Sequence, residues 1–280
     1  MFVHQIGVVS EVDGITCRDV SLVAAALQKQ VMRDFAPIWS LPALVSGFGE
    51  LEDIPIGYWP VIIREDIGFA GAAGIHLDVD GQPFALVQAS NSWALTASHE
   101  VLEMLADPFG NRLIAGNSIK PGQGRVEYLV EVCDPSEAAE FGYTSNGILV
   151  SDFYTPNYFD PIGAPGVRYS FTGAITKPRQ VLRGGYLSWH NPVDNHWWQS
   201  KWFSGPKPKF VDLGVFDSGV ESLRTEIDRR TFRKETASGL PARHKTLVAA
   251  RAAEKMVACS TTIKAESWRS QIAAIRKRFK

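Results

Sequence analysis

The residues of this 280-residue chain whose types and spacing best suit chemistry lie in the segment His99-Glu100-Val101-Leu102-Glu103. In a helix, residues four positions apart share one face, so His99 and Glu103 can offer an imidazole nitrogen and a carboxylate oxygen to one cation. Glu100 would lie beside such a cation, where a general base takes a proton from an activated water molecule. The spacing therefore predicts a metal site with hydrolytic chemistry.

A second acidic segment, residues 127–135, could complete such a site. Alternate residues of a strand share one face, so Glu131 could point at the metal while its neighbours pack elsewhere. Asp134, at the end of the predicted strand, is the competing third ligand. Further along the chain, the phenol of Tyr154 or Tyr158 could stabilise the oxyanion of a hydrolytic intermediate, although such tyrosines more often serve packing.

The same residue types also permit other interpretations. Glu100 and Glu103 could simply be solvated on an amphipathic helix. A separate metal site could form in a loop from His190, Asp194 and His196, but the Trp and Asn residues around them favour a structural or binding surface.

The sequence does not favour a catalytic or ligand role for Cys133 or His76. A thiolate at Cys133 would lie between two acidic residues, which disfavours a nucleophilic pair of Cys133 with His99. His76 is interpreted as a strand residue whose side chain has its hydrogen-bond partners.

The chain resembles a family of zincin-like zinc metallopeptidases in two motifs. The first motif of that family, Ser-His-Glu-x-x-Glu-x-x-x-Asp-Pro, is similar to Ser98-His99-Glu100-Val101-Leu102-Glu103-Met104-Leu105-Ala106-Asp107-Pro108. A segment similar to Glu-Ile-Gly-Asp follows it there, and Glu131-Val132-Cys133-Asp134 resembles that segment. The resemblance covers about residues 84–137 and corresponds to a gluzincin-like variant in which Glu replaces the second His of His-Glu-x-x-His.

This resemblance implies a site with one Zn²⁺ per chain. It implies that His99 and Glu103 bind the zinc, that Glu131 or Asp134 completes the site, and that Glu100 is catalytic. It also implies a zincin-like core in which the motif helix carries the active site.

The chain departs from better known zincins downstream of the motif. It has no second His in the predicted helix, no Gly-x-x-His extension, and no methionine between Met104 and Met256 that could form a Met-turn. These departures bear on peptide hydrolysis more than on metal binding. Carboxylate ligands also weaken a metal as a Lewis acid and could admit Mn or Fe in place of zinc.

The elements that must position these residues follow from hydrophobic periodicity. Strands are predicted at residues 4–10, 59–63, 75–79, 84–88 and 126–132, and helices from Thr16 to about Pro37 and from Ser92 or Thr96 to Ala106. Asp80-Gly81 favours a hairpin turn. Residues 84–88 are expected to form an edge strand, to which a substrate peptide could add.

The second half of the chain has a different amino-acid composition. Residues 151–208 are rich in Gly, Pro, Asn and aromatics and are predicted to be loops ordered by aromatic packing, ending in a linker at residues 205–208. Helices are predicted at residues 220–234 and 245–280. The expected organisation is an α/β or α+β zincin-like core with a mixed sheet at residues 1–205 and a basic, mostly helical region at residues 206–280.

The charge is unevenly distributed along the chain. Residues 1–217 contain 14 Lys and Arg against 24 Asp and Glu, whereas residues 218–280 contain 15 against 6. The basic region could attract an acidic partner, but docking on the acidic body or plain solvation is the favoured interpretation, and nucleic acid is not the expected partner.

Composition excludes several other classes of protein. The chain has 45% hydrophobic residues, no apolar run of membrane-spanning length and no signal-peptide pattern at its N-terminus. Its three cysteines lie far apart and do not suit a disulfide scaffold, so a cytoplasmic location is expected. Residues 68–74 are rich in glycine but lack the Lys-Ser/Thr of a phosphate loop.

The sequence therefore predicts a zinc peptidase that hydrolyses peptide bonds in a protein or peptide substrate, with Glu100 as general base. The alternative hypothesis is a non-catalytic zincin-fold protein that keeps its metal and binds a partner through the Trp-rich residues 189–202.

Overall fold

The computed structural model describes residues 3–69, 71–217, 219 and 222–232, which form two five-stranded sheets, a small hairpin and four α-helices. The strands are β1 His4–Ser10, β2 Ala43–Gly47, β3 Trp59–Arg64, β4 Gly74–Val79, β5 Gln82–Gln88, β6 Leu113–Asn117, β7 Arg125–Leu129, β8 Tyr143–Ser145, β9 Ile148–Val150, β10 Tyr186–Asn191, β11 His196–Lys201 and β12 Lys209–Gly214. The helices are α1 Cys17–Lys29, α2 Ala36–Trp39, α3 Trp93–Ala106 and α4 Leu223–Phe232, with a π-helical segment Gln30–Phe35 between α1 and α2. Short 3₁₀ turns span Leu51–Asp53, Asp134–Ser136, Ala139–Phe141 and Pro156–Phe159.

The first sheet is mixed, with strand order β2-β1-β3-β5-β4. Strand β1 is parallel to β2 and β3, β3 is parallel to β5, and β4 is antiparallel to β5. A mixed α/β architecture was predicted and is confirmed. The prediction that residues 84–88 form an edge strand is wrong, because β5 lies between β3 and β4 and the edge belongs to β4.

The hairpin of β4 and β5 turns where the sequence predicts it. Asp80 and Gly81 have φ angles of 52° and 78°, and positive φ at both central residues is the requirement of the two-residue turn that matches strand twist. This turn brings β5 back alongside β4, and both strands contact α3.

The first helix begins as expected from its polar residues, but α1 ends at Lys29, and helical structure continues past Pro37 through the π-helical segment and α2. The Thr16 hydroxyl accepts a hydrogen bond from the backbone N–H of Asp19, whose carboxylate accepts one from the backbone N–H of Thr16. Pro37 lies in the first turn of α2, where its missing N–H costs nothing, and the helix ends two residues later at Trp39.

The π-helical segment ties α3 to the chain that follows β9. Gln30 is buried there, and its amide nitrogen donates to the carbonyl of Ser151 at 2.9 Å. Ser98 donates to the amide oxygen of Gln30 at 2.8 Å and accepts from the backbone N–H of Ser151 at 2.9 Å. This closed network holds α3 in place at the residue before His99.

The second sheet is antiparallel, with strand order β12-β11-β10-β7-β6. Strand β7 ends at Leu129, so the predicted continuation to Val132 is wrong and residues 130–133 lie beyond the strand. Residues 151–185 are largely loops, as predicted, but β10 and β11 form a hairpin where loops were also expected. Trp189 is fully buried in that hairpin, and Trp197 stacks on Phe216 with ring centroids 4.8 Å apart.

The C-terminal part of the described chain continues the second sheet. Strand β12 pairs with β11, so the sheet extends past the linker predicted at residues 205–208. Helix α4 occupies part of the helix predicted at residues 220–234, and the helix predicted at residues 245–280 lies outside the described residues. Within the described ranges, no helix is both long and apolar enough to cross a bilayer.

Candidate metal centre

Helix α3 directs acidic side chains into the protein. Its apolar residues, among them Val101 and Leu105, are buried in the main hydrophobic cluster, yet Glu100 and Glu103 are only 3% and 0% exposed. Two buried carboxylates on one helix contradict the interpretation that both are solvated. Burial of a carboxylate is costly unless a hydrogen bond, a cation or a proton compensates it.

His99 lies between two carboxylate oxygens. Its Nε2 atom is 3.1 Å from Oε2 of Glu103 and 3.3 Å from Oδ1 of Asp134. Ligand atoms 2.0–2.2 Å from a tetrahedral zinc ion are separated by about 3.3–3.6 Å, so these spacings are close to those of a zinc site. Both carboxylate oxygens are buried, and neither has a hydrogen-bond donor other than the His99 ring. Each oxygen lies at a zinc-like spacing from His99 Nε2, and Glu103 and Asp134 each belong with His99 to a group of three potential ligands, whose third member is Cys133 or Glu137.

The other oxygen of Glu103 fixes the side chain. Oε1 accepts a hydrogen bond of 3.1 Å from the backbone N–H of Cys133, so Oε2 remains for the ligand position. The Cys133 thiol is buried, and burial together with the charge of Glu103 raises its pKa well above the ordinary value. The thiol therefore stays protonated, which agrees with the low rank that the sequence gives to a Cys133 nucleophile.

Arg224, on α4, inserts its guanidinium into the same cluster and was missed by the sequence analysis. Its Nη1 atom lies 2.5 Å from Oε2 of Glu131, 2.9 Å from Oδ2 of Asp134 and 3.7 Å from Oε2 of Glu103. Asp134 therefore faces His99 with one oxygen and Arg224 with the other. Glu131 is the closest carboxylate partner of the arginine, so the geometry favours Asp134 over Glu131 as the third ligand.

The other donors of Arg224 also have partners. Nε lies 3.1 Å from Oδ2 of Asp228, and Nη2 donates to the hydroxyl of Tyr186 at 2.9 Å. The backbone N–H of Arg224 donates to the carbonyl of Gly110 at 3.0 Å. The guanidinium is thus held from several sides, and one of the basic residues of region 218–280 docks on the acidic body.

Burial and charge together set the protonation of the cluster. Burial lowers the pKa of His99, but Glu103 and Asp134 outweigh burial and raise that pKa well above its ordinary value. Burial opposes ionisation of Glu103, yet His99 and Arg224 bring its pKa below the ordinary value. Burial raises the pKa of Asp134 to about 6 and that of Glu131 well above its usual range, against the attraction of Arg224. A cation among these groups would offset their repulsion.

Glu100 meets His76, which β4 contributes from the edge of the first sheet. His76 Nδ1 is 3.5 Å from Oε2 of Glu100 and 3.9 Å from Oε2 of Glu103. The interpretation of His76 as a satisfied strand residue is half right: Nε2 lies 3.1 Å from the carbonyl of Asp107, but Nδ1 has no hydrogen-bond partner. Strand alternation places Gly74 and His76 on one face, which was the available signal for this contact.

Tyr154 lies close enough to the carboxylates to be affected by them. Burial, the neighbouring Tyr158 and the charges of Glu131 and Glu103 raise its pKa well above the ordinary value, so the phenol stays protonated. Its buried hydroxyl has no hydrogen-bond partner. Tyr158 stacks on Tyr154 at 4.3 Å, and its own hydroxyl donates to the carbonyl of Gln180 at 3.1 Å, which makes Tyr158 a packing residue.

The second metal site considered from the sequence does not assemble in the described residues. His190 lies against Glu127 at 2.9 Å and His196 against Asp212 at 2.9 Å, and neither belongs to a group of three potential ligands. All such groups in the described ranges gather around His99 and Glu103, and they include Glu137, which the sequence analysis missed.

Comparison of the chain with profiles of known protein families, with curated proteins and with solved structures finds no match.

Proposed function

We propose that this protein is a metal-dependent peptidase with a zincin-like core, in which His99, Glu103 and Asp134 bind one zinc-type cation. The observation that carries the proposal is the position of three ligand atoms. Oε2 of Glu103 and Oδ1 of Asp134 are buried, have no hydrogen-bond donor other than the His99 ring and lie within 3.3 Å of His99 Nε2. Imidazole nitrogen with two carboxylate oxygens is a ligand set that suits zinc and also admits manganese or iron.

A cation bound there would polarise an amide carbonyl and lower the pKa of a water molecule. Glu100 directly follows His99 on α3, and its buried Oε2 has no hydrogen-bond donor, so it can accept the proton of that water and pass it to the leaving amine. The protonated hydroxyl of Tyr154 can donate a hydrogen bond to the oxygen that gains negative charge.

Arg224 supports the site by holding its acidic residues. Its guanidinium holds Oδ2 of Asp134 and the carboxylate of Glu131, which leaves Oδ1 of Asp134 for the cation. The positive charge of Arg224 draws electron density from the carboxylate of Asp134. This reduces the extent to which carboxylate ligands weaken the cation as a Lewis acid. Glu131 therefore acts in this proposal as the partner of Arg224.

The remaining parts of the proposal concern substrate and location. The His99 side chain is 12% exposed, against 0% for Glu103 and 2% for Asp134, so a protein or peptide substrate would approach from the imidazole side. We propose a cytoplasmic location, supported by the free thiols of Cys17 and Cys133. An acidic partner for the basic region of residues 218–280 stays a prediction.

Metal content measured by elemental analysis tests the metal part of the proposal. Wild-type protein supplied with zinc is expected to retain at least one equivalent after dialysis, and His99→Ala is expected to lose the equivalent held by His99. His190→Ala is the matched control, since His190 pairs with Glu127 on the other sheet. A wild-type chain that holds no metal would overturn the proposal.

Cleavage of peptide libraries tests the reaction. Glu100→Gln keeps the size of the side chain but removes the base. It is therefore expected to keep the zinc equivalent held by His99 and to lower cleavage at least about 100-fold. Equal cleavage by wild type and Glu100→Gln would assign the proton transfer to another group.

A further inference from the structure

The imidazole of His76 has one nitrogen satisfied and one facing negative charge. His76 is 2% exposed, and its Nε2 lies 3.1 Å from the backbone carbonyl of Asp107. A carbonyl oxygen can only accept a hydrogen bond, so Nε2 carries a hydrogen, and Nδ1 carries either a second proton or a lone pair that can bind a cation. Nδ1 is buried without a hydrogen-bond partner.

The atoms that face Nδ1 are carboxylate oxygens. Oε2 of Glu100 is 3.5 Å from Nδ1 and Oε2 of Glu103 is 3.9 Å from it, and neither oxygen has a hydrogen-bond donor. Ligand atoms of the three residues all lie within 4.8 Å of one another. Two buried carboxylate oxygens that face one imidazole nitrogen repel each other unless a positive charge, either a cation or a proton, lies between them.

The surroundings of His76 are those of a metal ligand. A histidine that binds a metal usually donates its other ring N–H to a carbonyl or carboxylate, which fixes the ring, and Asp107 provides that carbonyl here. Nitrogen and oxygen ligands of a tetrahedral zinc ion are about 3.3–3.6 Å apart, and His76 Nδ1 lies 3.5 Å from Oε2 of Glu100 and 3.9 Å from Oε2 of Glu103, at or near that spacing.

The position is separate from the one that His99 and Asp134 define. His76 comes from β4 and approaches Glu103 from the side of Glu100, whereas His99 and Asp134 meet Glu103 at the ligand spacing described above. Glu103 Oε1 is engaged by the backbone of Cys133, so Oε2 is the atom that both positions share.

We propose that His76, Glu100 and Glu103 form a second cation position, which binds a further zinc-type ion and inhibits the enzyme. The inhibition rests on the proposed function, because Glu100 can accept a proton only while its carboxylate is not a metal ligand. Filling the first position supports hydrolysis, and filling the second removes the base. Two cations that share one carboxylate oxygen repel each other, so the second ion binds more weakly than the first.

Zinc binding to the full-length chain tests this inference independently of cleavage. Chelator-treated protein is dialysed against increasing zinc above neutral pH, where competition from protons at the imidazoles is smallest, and bound zinc is measured by elemental analysis. Wild type is expected to bind two equivalents in two separate steps. His76→Ala is expected to keep the tighter step and to weaken the second at least about tenfold, while His190→Ala keeps both.

Glu100→Gln provides a second variant in case His76→Ala fails to fold. It preserves side-chain size and removes one anionic ligand, so it is expected to lose the weaker step and keep the tighter one. With an active preparation, excess zinc should inhibit wild type and spare His76→Ala.

The outcomes separate this inference from the proposed function. One wild-type equivalent that disappears in His99→Ala would overturn the second position and leave the first intact; a proton on His76 would then supply the missing positive charge. Two equivalents that both survive in His76→Ala and Glu100→Gln would also overturn it. Binding of no zinc at all would overturn both proposals.

Discussion

At the scale of single residues, the two oxygens of Asp134 have different neighbours. Oδ1 faces His99 at 3.3 Å, and Oδ2 accepts from Arg224 at 2.9 Å. Glu131 is closest to Arg224, at 2.5 Å. The motif Glu-x-x-Asp thus places one carboxylate toward the proposed metal and one toward the arginine, which assigns different roles to two acidic residues that the sequence could not distinguish.

Asp134→Asn is expected to weaken zinc binding more than Glu131→Gln does, at least about tenfold, because it removes an anionic ligand. Glu131→Gln removes only a partner of Arg224. Competition of each variant with a fluorescent zinc chelator measures the two affinities. A larger loss in Glu131→Gln would identify Glu131 as the ligand.

Gly74 is a residue at which a side chain would disturb the site directly. A Cβ atom there would lie 2.6 Å from Oε1 of Glu100 and 2.6 Å from Cγ2 of Thr96, so glycine permits the close approach of β4 to α3. Gly74→Ala is expected to cost about 1–3 kcal/mol in the free energy of unfolding.

Gly14→Ala is the matched control, because a Cβ atom there would meet nothing within 4 Å and the φ of Gly14 is not in the left-handed region. Urea unfolding of both variants measures the difference, and cleavage assays report on Glu100. Similar unfolding free energies for the two variants would show that β4 can move away from α3 without cost.

At the scale of elements, α4 places the buried guanidinium of Arg224 among carboxylates that other parts of the chain contribute. Its first residues are fixed by two hydrogen bonds: the backbone N–H of Leu223 donates to the side chain of Asn111, and that of Arg224 donates to the carbonyl of Gly110. These contacts place the guanidinium where Glu131 and Asp134 meet. The helix therefore depends on the loop after α3, and the cluster depends on the helix.

Arg224→Gln is expected to destabilise the metal-free protein by about 3–5 kcal/mol, because it leaves buried carboxylates without their cation. Zinc should restore part of that loss by neutralising the same groups. Urea unfolding with chelator and with zinc measures both effects.

Arg229 on the same helix serves as the control for this variant. Its side chain is 37% exposed and pairs with Glu226, so Arg229→Gln is expected to change stability by no more than about 1 kcal/mol. Equal losses in the two variants would mean that α4 is stabilised mainly by packing.

At the scale of the whole molecule, the candidate site joins parts of both sheets. Helix α3 and strand β4 belong with the first sheet, Glu131 and Asp134 follow β7 of the second, and Arg224 follows β12. A cation at His99, Glu103 and Asp134 would therefore connect the two halves of the described chain. Its binding energy would add to the stability of the native state alone.

The stability of the metal-free protein is expected to fall as the pH rises from about 4 to about 6. The native pKa of Asp134 is raised to about 6, and that of Glu131 is raised well above its ordinary value, both chiefly by burial. The native state therefore binds more protons than the unfolded state in this range, and each proton lost with rising pH reduces the free energy of unfolding.

Thermal unfolding at a series of pH values, with chelator and with zinc, measures this dependence. Zinc binds the deprotonated ligands, so it should stabilise the protein more at higher pH and reverse the trend. A metal-free midpoint that rises steadily from pH 4 to pH 6 would show that other groups dominate the titration.

The local features of the fold could be predicted from the sequence, because they depend on residues close together in the chain. Helical spacing placed His99 and Glu103 on one face of α3, and Asp80-Gly81 predicted a turn whose φ angles the structure confirms. The same reasoning was wrong about β5 as an edge strand, since apolar alternation describes how a strand is buried but not which strands pair with it.

The assembly of the candidate site was decided only by tertiary structure. The motif resemblance named the acidic residues, but the choice between Glu131 and Asp134 depends on Arg224, which lies 90 residues after Asp134. His76 reaches Glu100 only because β4 forms the sheet edge beside α3. Sequence spacing determines which side chains share a face of one element, whereas contacts between distant elements depend on how the sheets and helices pack, and no local pattern encodes that packing.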